Sequence, residues 1–349
     1  MTADATKDLR VRELDASSEA AWDAFVESCA GATFFHRAGW KRVIEASFGH
    51  RCPFLFAERD GEIRGVLPLV DIRSRLFGHA LISSGFAVYG GVAARDEEAH
   101  VALEASALAL ADELDADHLE MRGRVPAHPG WQCRSDLYVT FRKALDPDPE
   151  KNLLAVPRKQ RAMVRKGIKE GLASTIDADV DRLHRIYAVS VRNLGTPVFP
   201  KRYFRNLHQE FGEDCEILTV TAGQETIASV MSFRFRDEVL PYYGGGTTRA
   251  RGLAGNDFMY WEVMRRAVAR GCRVFDFGRS KQGTGSFAFK KNWGFVPEPL
   301  HYAYYLRKGG DVPDVNPLNP KYRLFIAAWK RLPLPVANLI GPFIARSLG

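Results

Sequence analysis

Residues Asp276 to Phe295 read DFGRSKQGTGSFAFKKNWGF, a run whose residue types suit one task, the holding of negative charge. Gly278, Gly283 and Gly285 would let backbone N–H groups approach an anion, and Arg279, Lys281, Lys290 and Lys291 add fixed positive charge. A nucleotide-binding P-loop is excluded, because Gly283 is followed by Thr284 where that loop requires Lys. What remains is a strand ending at Asp276-Phe277, a glycine-bearing loop and a predicted helix over residues 286–292. Ligands of open α/β sheets gather beyond the carboxyl ends of strands, which makes this loop the first candidate site. A surface connection with solvated lysines is the alternative.

Three further constellations carry charge or shape. Arg158, Arg161, Arg165 and Lys169 are spaced by three or four, so a helix places them on one face with Lys159 and Lys166 beside it. Such a stripe matches a phosphate, or is simply a solvated face; it lacks the interleaved aromatics of a base-stacking surface. RARGLA, from Arg249 to Ala254, sits between a predicted strand and a helix for which Asn256 is the expected cap. The tail from Pro320 mixes cations with Leu324, Phe325, Trp329, Ile340 and Phe343. Its longest uncharged run, Leu332 to Ala345, has 14 residues and three prolines, short of the roughly 20 needed to span a bilayer. It either lies in a membrane interface with Trp329 and the cations at head-group depth, or packs on the core. The nine histidines are scattered, and neither a nucleophile triad nor a metal-ligand cluster stands out.

These residues need elements to position them. The 349-residue chain is 46% hydrophobic and 26% charged, enough for two domains, and its net charge of +7 favours anionic partners without choosing among them. Cys29, Cys52, Cys133, Cys215 and Cys272 form no C-x-x-C and read as buried thiols in a reducing compartment. The polar N-terminus carries no secretory-type apolar stretch, so the expected location is cytoplasmic. PFLFAER and IRGVLPLVDI flank Asp60-Gly61 as a hairpin, and CEILTVTAGQETIASVMSFRF followed by VLPYYGG reads as three more strands.

An internal repeat organises the chain. Tyr89-Gly90-Gly91 precedes a predicted helix (97–114) and the strand HLEMRG; Tyr243-Gly244-Gly245 precedes another (257–270) and RVFDFG. The offsets, 154 between the tyrosines and 155 between Gly123 and Gly278, agree, which implies two copies of one unit. DPDPE at 146–150 separates them and leads into a single predicted helix, KNLLAVPRKQRAMVRKGIKEG, ended by Gly171. The expected division is 1–146, 147–310 with the site, and a tail from 311 to 349.

The order strand, R-x-x-G-x-A, helix, strand, loop, helix ending in Gly-Phe, strand is similar to the GNAT acyltransferase superfamily. PRKQRAMVRKG, VRNLGTPVFP, YYGGGTTRA, FMYWEVMRRA and FDFGRSKQGTGSFAFKKNWGF together resemble the FemABX aminoacyltransferases, and more closely the FemAB-related proteins of PEP-CTERM/exosortase and exopolysaccharide systems. The resemblance is densest from Arg158 to Leu306. It implies an α/β (α+β) chain of two tandem GNAT-like domains with mixed central sheets, followed by an amphipathic tail. The implied activity is acyl or aminoacyl transfer to a peptidoglycan, cell-envelope or exopolysaccharide precursor. No cofactor would be held permanently, and aminoacyl-tRNA and acyl-CoA both stay open as donor; the coiled-coil insertion of some Fem members is missing. Acyl-CoA-dependent transfer to another small substrate and non-catalytic binding of an anionic glycan are the alternatives.

Phe289-Lys290 matches the family's Phe-Lys pair, so Lys290 inherits the role of a fixed cation near the acyl-transfer centre. Asp276 would act as base or orient Arg279. Arg158, Arg161, Arg165, Tyr243, Arg279, Ser280, Lys281, Gly283, Thr284, Gly285, Phe289, Lys291 and Trp293 would bind substrate, an anionic small molecule or lipid-linked glycan. Arg249, Gly252, Ala254 and Asn256 would hold the donor, and the tail would touch the inner face of the membrane.

Overall fold

Asp60 and Gly61 both adopt positive φ (55° and 79°), the geometry that closes a two-residue hairpin in register with twisted strands. The computed structural model describes residues 8–75, 77–124, 130–312 and 320–349, so the first seven residues and the 313–319 stretch of the predicted tail lie outside the described residues. In chain order its first elements are β1 (Arg10–Glu13), α1 (Glu19–Ser28), α2 (Ala38–Phe48), β2 (Leu55–Arg59), β3 (Glu62–Leu67), β4 (Leu69–Ser74), β5 (Gly78–Ser83), β6 (Ala93–Ala94), α3 (Glu97–Glu113), β7 (His118–Gly123) and β8 (Gln132–Arg134). Then come β9 (Tyr138–Ala144), α4 (Pro149–Ala155), α5 (Arg158–Lys169), β10 (Ala173–Ile176), α6 (Asp181–Leu194), α7 (Lys201–Phe211), β11 (Cys215–Ala222), β12 (Glu225–Phe235) and β13 (Glu238–Gly246). The last are α8 (Thr248–Gly252), α9 (Gly255–Ala269), β14 (Val274–Asp276), β15 (Ser280–Lys281), α10 (Gly285–Asn292), β16 (Pro297–Pro299), β17 (His301–Leu306), α11 (Pro320–Trp329) and α12 (Leu334–Ala345).

The chain forms two compact units, one of residues up to Ser135 with Leu300–Val312 and Ser347–Gly349, the other of Asp136–Pro299 with Pro313–Arg346. In the first, β1-β2-β3-β6 make one sheet and β4-β5-β7-β17-β8 another. Pro68 explains the parting of β3 from β4, which the sequence suggests as a single run: a residue without an N–H interrupts the ladder. In the second unit β10-β11-β12-β13-β14-β9-β15 form one sheet, with β16 also on β9.

The repeat is visible in the pairing. In each unit an antiparallel pair (β4-β5, β12-β13) is followed by a parallel neighbour (β7, β14) and then an antiparallel one (β17, β9). Crossover helices, α3 in one case and α8 with α9 in the other, join the parallel strands. The fourth strand of each set comes from the other half of the chain. β9 therefore falls in the second unit and β17 in the first, where sequence order places them the other way round, and the division lies at Ser135/Asp136 rather than at 146/147.

The predicted helix after DPDPE is two helices. Pro157 has no N–H to continue α4 and disfavours helical Val156, so the chain breaks there and restarts as α5 with Pro157 as its N-cap. Gln160, Val164 and Gly167 of α5 face α9, where a side chain at Gly167 would meet the Phe258 Cβ at 2.8 Å. Asp257 of α9, buried, accepts from Gln160 Nε2 at 2.8 Å and from Trp293 Nε1 at 3.0 Å. Phe141, Phe258, Trp261, Phe275, Phe277, Trp293 and Phe295 fill the core of this unit. Four cysteines are buried thiols as expected; Cys133, on β8, is exposed.

Trp293→Phe removes one of the two side-chain donors to a buried carboxylate, together with the pyrrole ring that carries it. It is expected to cost about 1–3 kcal/mol in denaturant unfolding. A loss below a few tenths would show that Asp257 does not depend on the indole.

Candidate functional site

The site begins where two parallel strands part. β13 and β14 pair only at Glu238↔Val274 and Val239↔Phe275. Beyond Phe275 the chain is held by β9 instead: Asp276 pairs with Arg142, and the Phe277 N–H donates to Phe141 O at 2.9 Å. β13 runs on to Gly246 along β12. The carboxyl ends of the strands thus separate, which is where this architecture leaves room for a ligand.

Lys290 organises the loop that follows β14. From the last turn of α10 its Nζ donates to Phe277 O (2.6 Å), Gly278 O (3.0 Å) and Arg279 O (3.1 Å). An ammonium has three protons, and all three are engaged. Burial pulls its pKa down to about 7, against the raising effect of Asp276 and with a further lowering by Arg279. Asp276 is fully buried, and its Oδ1 accepts from Gly278 N–H (2.7 Å) and Thr140 Oγ1 (3.3 Å), with Arg142 Nε 3.7 Å from Oδ2. Gly278 takes φ +64°, a left-handed conformation that favours glycine. Both charged residues therefore face into the turn. This corrects two expectations: with its donors engaged Lys290 does not present an open cation, and with no exposed surface Asp276 is a turn-ordering carboxylate rather than a reachable base.

The exposed side of the loop offers other groups. Arg279 Cζ and Lys281 Nζ lie 4.5 and 5.2 Å from the centre of the Tyr138 ring. Thr284, extended at φ −92° and ψ 162°, caps α10: its Oγ1 accepts from Phe287 N–H (3.4 Å) and donates to Lys281 O (2.7 Å). Ala288 N–H bonds to Thr284 O. The amides of Gly285 and Ser286 open the helix with no intrahelical acceptor, and no atom lies within 4 Å of a side chain built at Gly285. Gly283 takes φ +76° before the helix, and Lys291, in the last turn of α10, is exposed. The Ser280 hydroxyl is buried without a partner.

The remaining predicted residues divide. Arg158 and Arg165 stand exposed on α5 as the spacing implies, while Arg161 donates to Leu154 O at 3.0 Å. Lys166 reaches Gly252 O at 2.7 Å, so the basic face of α5 adjoins the RARGLA segment. That segment is not an open loop: residues 248–252 form α8, and Arg249 pairs with Glu225. Asn256 is not the cap. Ala254, at φ +58°, precedes α9, and the Asn256 Oδ1 is a buried acceptor without a partner, 2.4 Å from where a Gly246 side chain would begin. Tyr243 and Trp293 are buried and support rather than line the site. Tyr243 shares a hydrogen bond with Tyr203 (2.9 Å) in an aromatic cluster, and Trp293 serves Asp257. Phe289 packs beneath α10 on Tyr260 and Phe277.

Thr140, Arg142 and Tyr138 were not foreseen, since β9 lies more than a hundred residues away in sequence and nothing local couples it to the loop. Nor was a cavity of about 220 Å³ in the first unit, lined among others by Gly31, Tyr89, Gly91, His100, Arg122 and His301. Only Tyr89-Gly90-Gly91 hinted at it, as the counterpart of the β13 glycines. Among the described residues no cluster could hold a metal ion.

Residues 158–291 match the Acetyltransferase (GNAT) domain family. No curated protein matches the chain in sequence. Among solved structures, FemX is similar at 17% identity, covering 91% of this chain and 100% of its own with a TM-score of 0.66. The C-terminal domain (DUF2156) of a putative lysylphosphatidylglycerol synthetase from Agrobacterium fabrum is similar at 13% identity over 84% and 93%, TM-score 0.56. A tandem GNAT protein from the clavulanic acid biosynthesis pathway is similar at 15% identity over 87% and 100%, TM-score 0.55. The fold is thus a tandem GNAT-like α/β arrangement with mixed sheets, shared with FemX.

A lysine so placed should titrate far from its ordinary position. The Lys290 ε-amine, followed by NMR on labelled protein, is expected to lose its proton near pH 7 rather than near 10.5. An unfolded lysine stays protonated to about 10.5, so this group makes folding more favourable as pH climbs from 7 towards 10.5. A midpoint above 10 would mean that the three carbonyls and Asp276 outweigh the effect of burial.

Proposed function

We propose that the chain is an N-acyltransferase acting on a cell-envelope or exopolysaccharide precursor, with the site at the loop and helix that follow β14. The observation that carries this reading is the opening of α10: amides of Gly285 and Ser286 unengaged within the helix, beside a loop pinned from below by Lys290. Attack of an amine on an acyl carbonyl creates a tetrahedral oxyanion, and preorganised N–H donors aimed at that oxygen commonly supply the largest stabilising contribution. The helix N-terminus adds partial positive charge at the same place. Lys290 and Asp276 hold the backbone in register, and Arg279, Lys281, Lys291 and the exposed face of α5 draw in the phosphates of an anionic substrate.

For the donor we take acyl-CoA, which can supply a hydrogen bond to the orphan acceptor of Asn256. A thioester donor carries amide N–H groups along its arm, and one of them would satisfy the Asn256 Oδ1 beside the glycines that end β13. Substrate and donor meet in a protein expected in the cytoplasm; no helix among the described residues is long and apolar enough to cross a membrane.

Two measurements test this. Gly285→Pro deletes one N–H at the first helical position, where Thr284 already has the extended geometry that proline demands. It is expected to lower kcat about a hundredfold to a thousandfold with helix content unchanged, whereas Gly285→Ala keeps the N–H and near-normal turnover. Equal effects of the two substitutions would remove the amide from the chemistry. Separately, calorimetry is expected to detect coenzyme A binding that weakens at least tenfold in Asn256→Leu; no binding by the unaltered protein would favour the tRNA donor.

A further inference from the structure

The C-terminal helices are packed inside out. α12 turns Ala337, Gly341 and Ala345 inward, and the approach is close enough that a side chain at Gly341 would begin 2.9 Å from Val198 Cγ1. Its opposite face carries Val336, Leu339, Ile340 and Phe343, with Leu339 70% and Phe343 72% exposed. On α11, Ile326 meets Gly195 and Trp329 is buried against Phe325, while Leu324 is 84% exposed. Burying apolar area is the main gain of folding, so a helix that hides its small residues and exposes its large ones is matched to a second apolar medium.

The charges indicate which medium. From residue 320 to the last residue the sequence holds Lys321, Arg323, Lys330, Arg331 and Arg346 and no acidic residue. Arg323, Lys330 and Arg331 are exposed. Neither α11, at 10 residues, nor α12, at 12, can span a bilayer, but a short apolar face bordered by cations can lie in the head-group region. We propose that α11 and α12 form a docking surface for an anionic lipid bilayer, with Leu324, Leu339, Ile340 and Phe343 inserted and Arg323, Lys330 and Arg331 at the lipid phosphates. Trp329, placed at head-group depth by its residue type alone, is instead buried and anchors α11 to the protein. A second copy of the chain would also cover apolar side chains, but it would meet an all-cationic border with its own, so like charge opposes that pairing.

Flotation of the full-length protein with vesicles tests the proposal without any acyl-transfer assay. With equal parts phosphatidylglycerol and phosphatidylcholine at about 0.1 M salt the protein is expected to float, and with pure phosphatidylcholine to remain largely below. Lys330→Gln and Arg331→Gln are each expected to weaken binding about fivefold, the factor equivalent to about 1 kcal/mol per surface cation. Leu339→Ser with Phe343→Ser, both at exposed positions, should abolish flotation while circular dichroism stays unchanged. Protein that stays in the dense fraction with anionic vesicles overturns the proposal, as does a double serine variant that floats like the original. A dimer in light scattering, split by the serine substitutions and indifferent to vesicles, overturns it in favour of a second copy.

Discussion

One ammonium group under three consecutive carbonyls sets the form of the candidate site. Because trans peptides point C=O and N–H in opposite directions, gathering the carbonyls of residues 277–279 onto Lys290 turns the partner amides away from it. Asp276 takes up the first of these, the Gly278 N–H, and thereby fixes the left-handed glycine that reverses the chain. The loop then delivers Thr284 as cap and the first amides of α10 as open donors. A positive charge placed for chemistry by sequence logic does its work one layer lower, through the backbone it holds.

That layer depends on the sheet. β14 is short and pairs with β13 over only two residues, so its end is free to diverge; what keeps it from fraying is β9, which supplies Phe141, Arg142 and Thr140. β9 belongs by sequence to the first half of the chain, and β17, which fills the equivalent place in the first unit, belongs to the second. Each half completes the other's sheet. The tandem arrangement is therefore covalently interleaved, which accounts for a chain whose sequence copies and compact units do not share a boundary.

Much of this was legible beforehand, and the failures have physical causes. The hairpin announced by Asp60-Gly61, the helix predicted over 97–114 and the basic face of α5 depend on neighbours within a few residues, and they formed as read. The break at Pro157 was also local, but the strong periodicity on both sides masked it. The direction of Lys290 and Asp276, the burial of Tyr243 and Trp293 and the inward turn of Trp329 depend on partners distant in sequence, such as Thr140, Tyr203 and Asp257, which no local pattern reveals. Asn256 misled for a different reason: it has the right type for a cap, but Ala254 in a left-handed conformation starts the helix first.

The C-terminal helices and the loop after β14 belong to the same unit, and under the proposed reading a charged precursor presented at a membrane surface would meet both. Mass spectrometry of envelope precursors and exopolysaccharide, from cells with and without the gene, tests the central claim of N-acyl transfer most directly. The account requires one species to lose a single acyl or aminoacyl mass increment when the gene is removed, and to regain it when the gene returns. Indistinguishable profiles under conditions where the protein is made would contradict it.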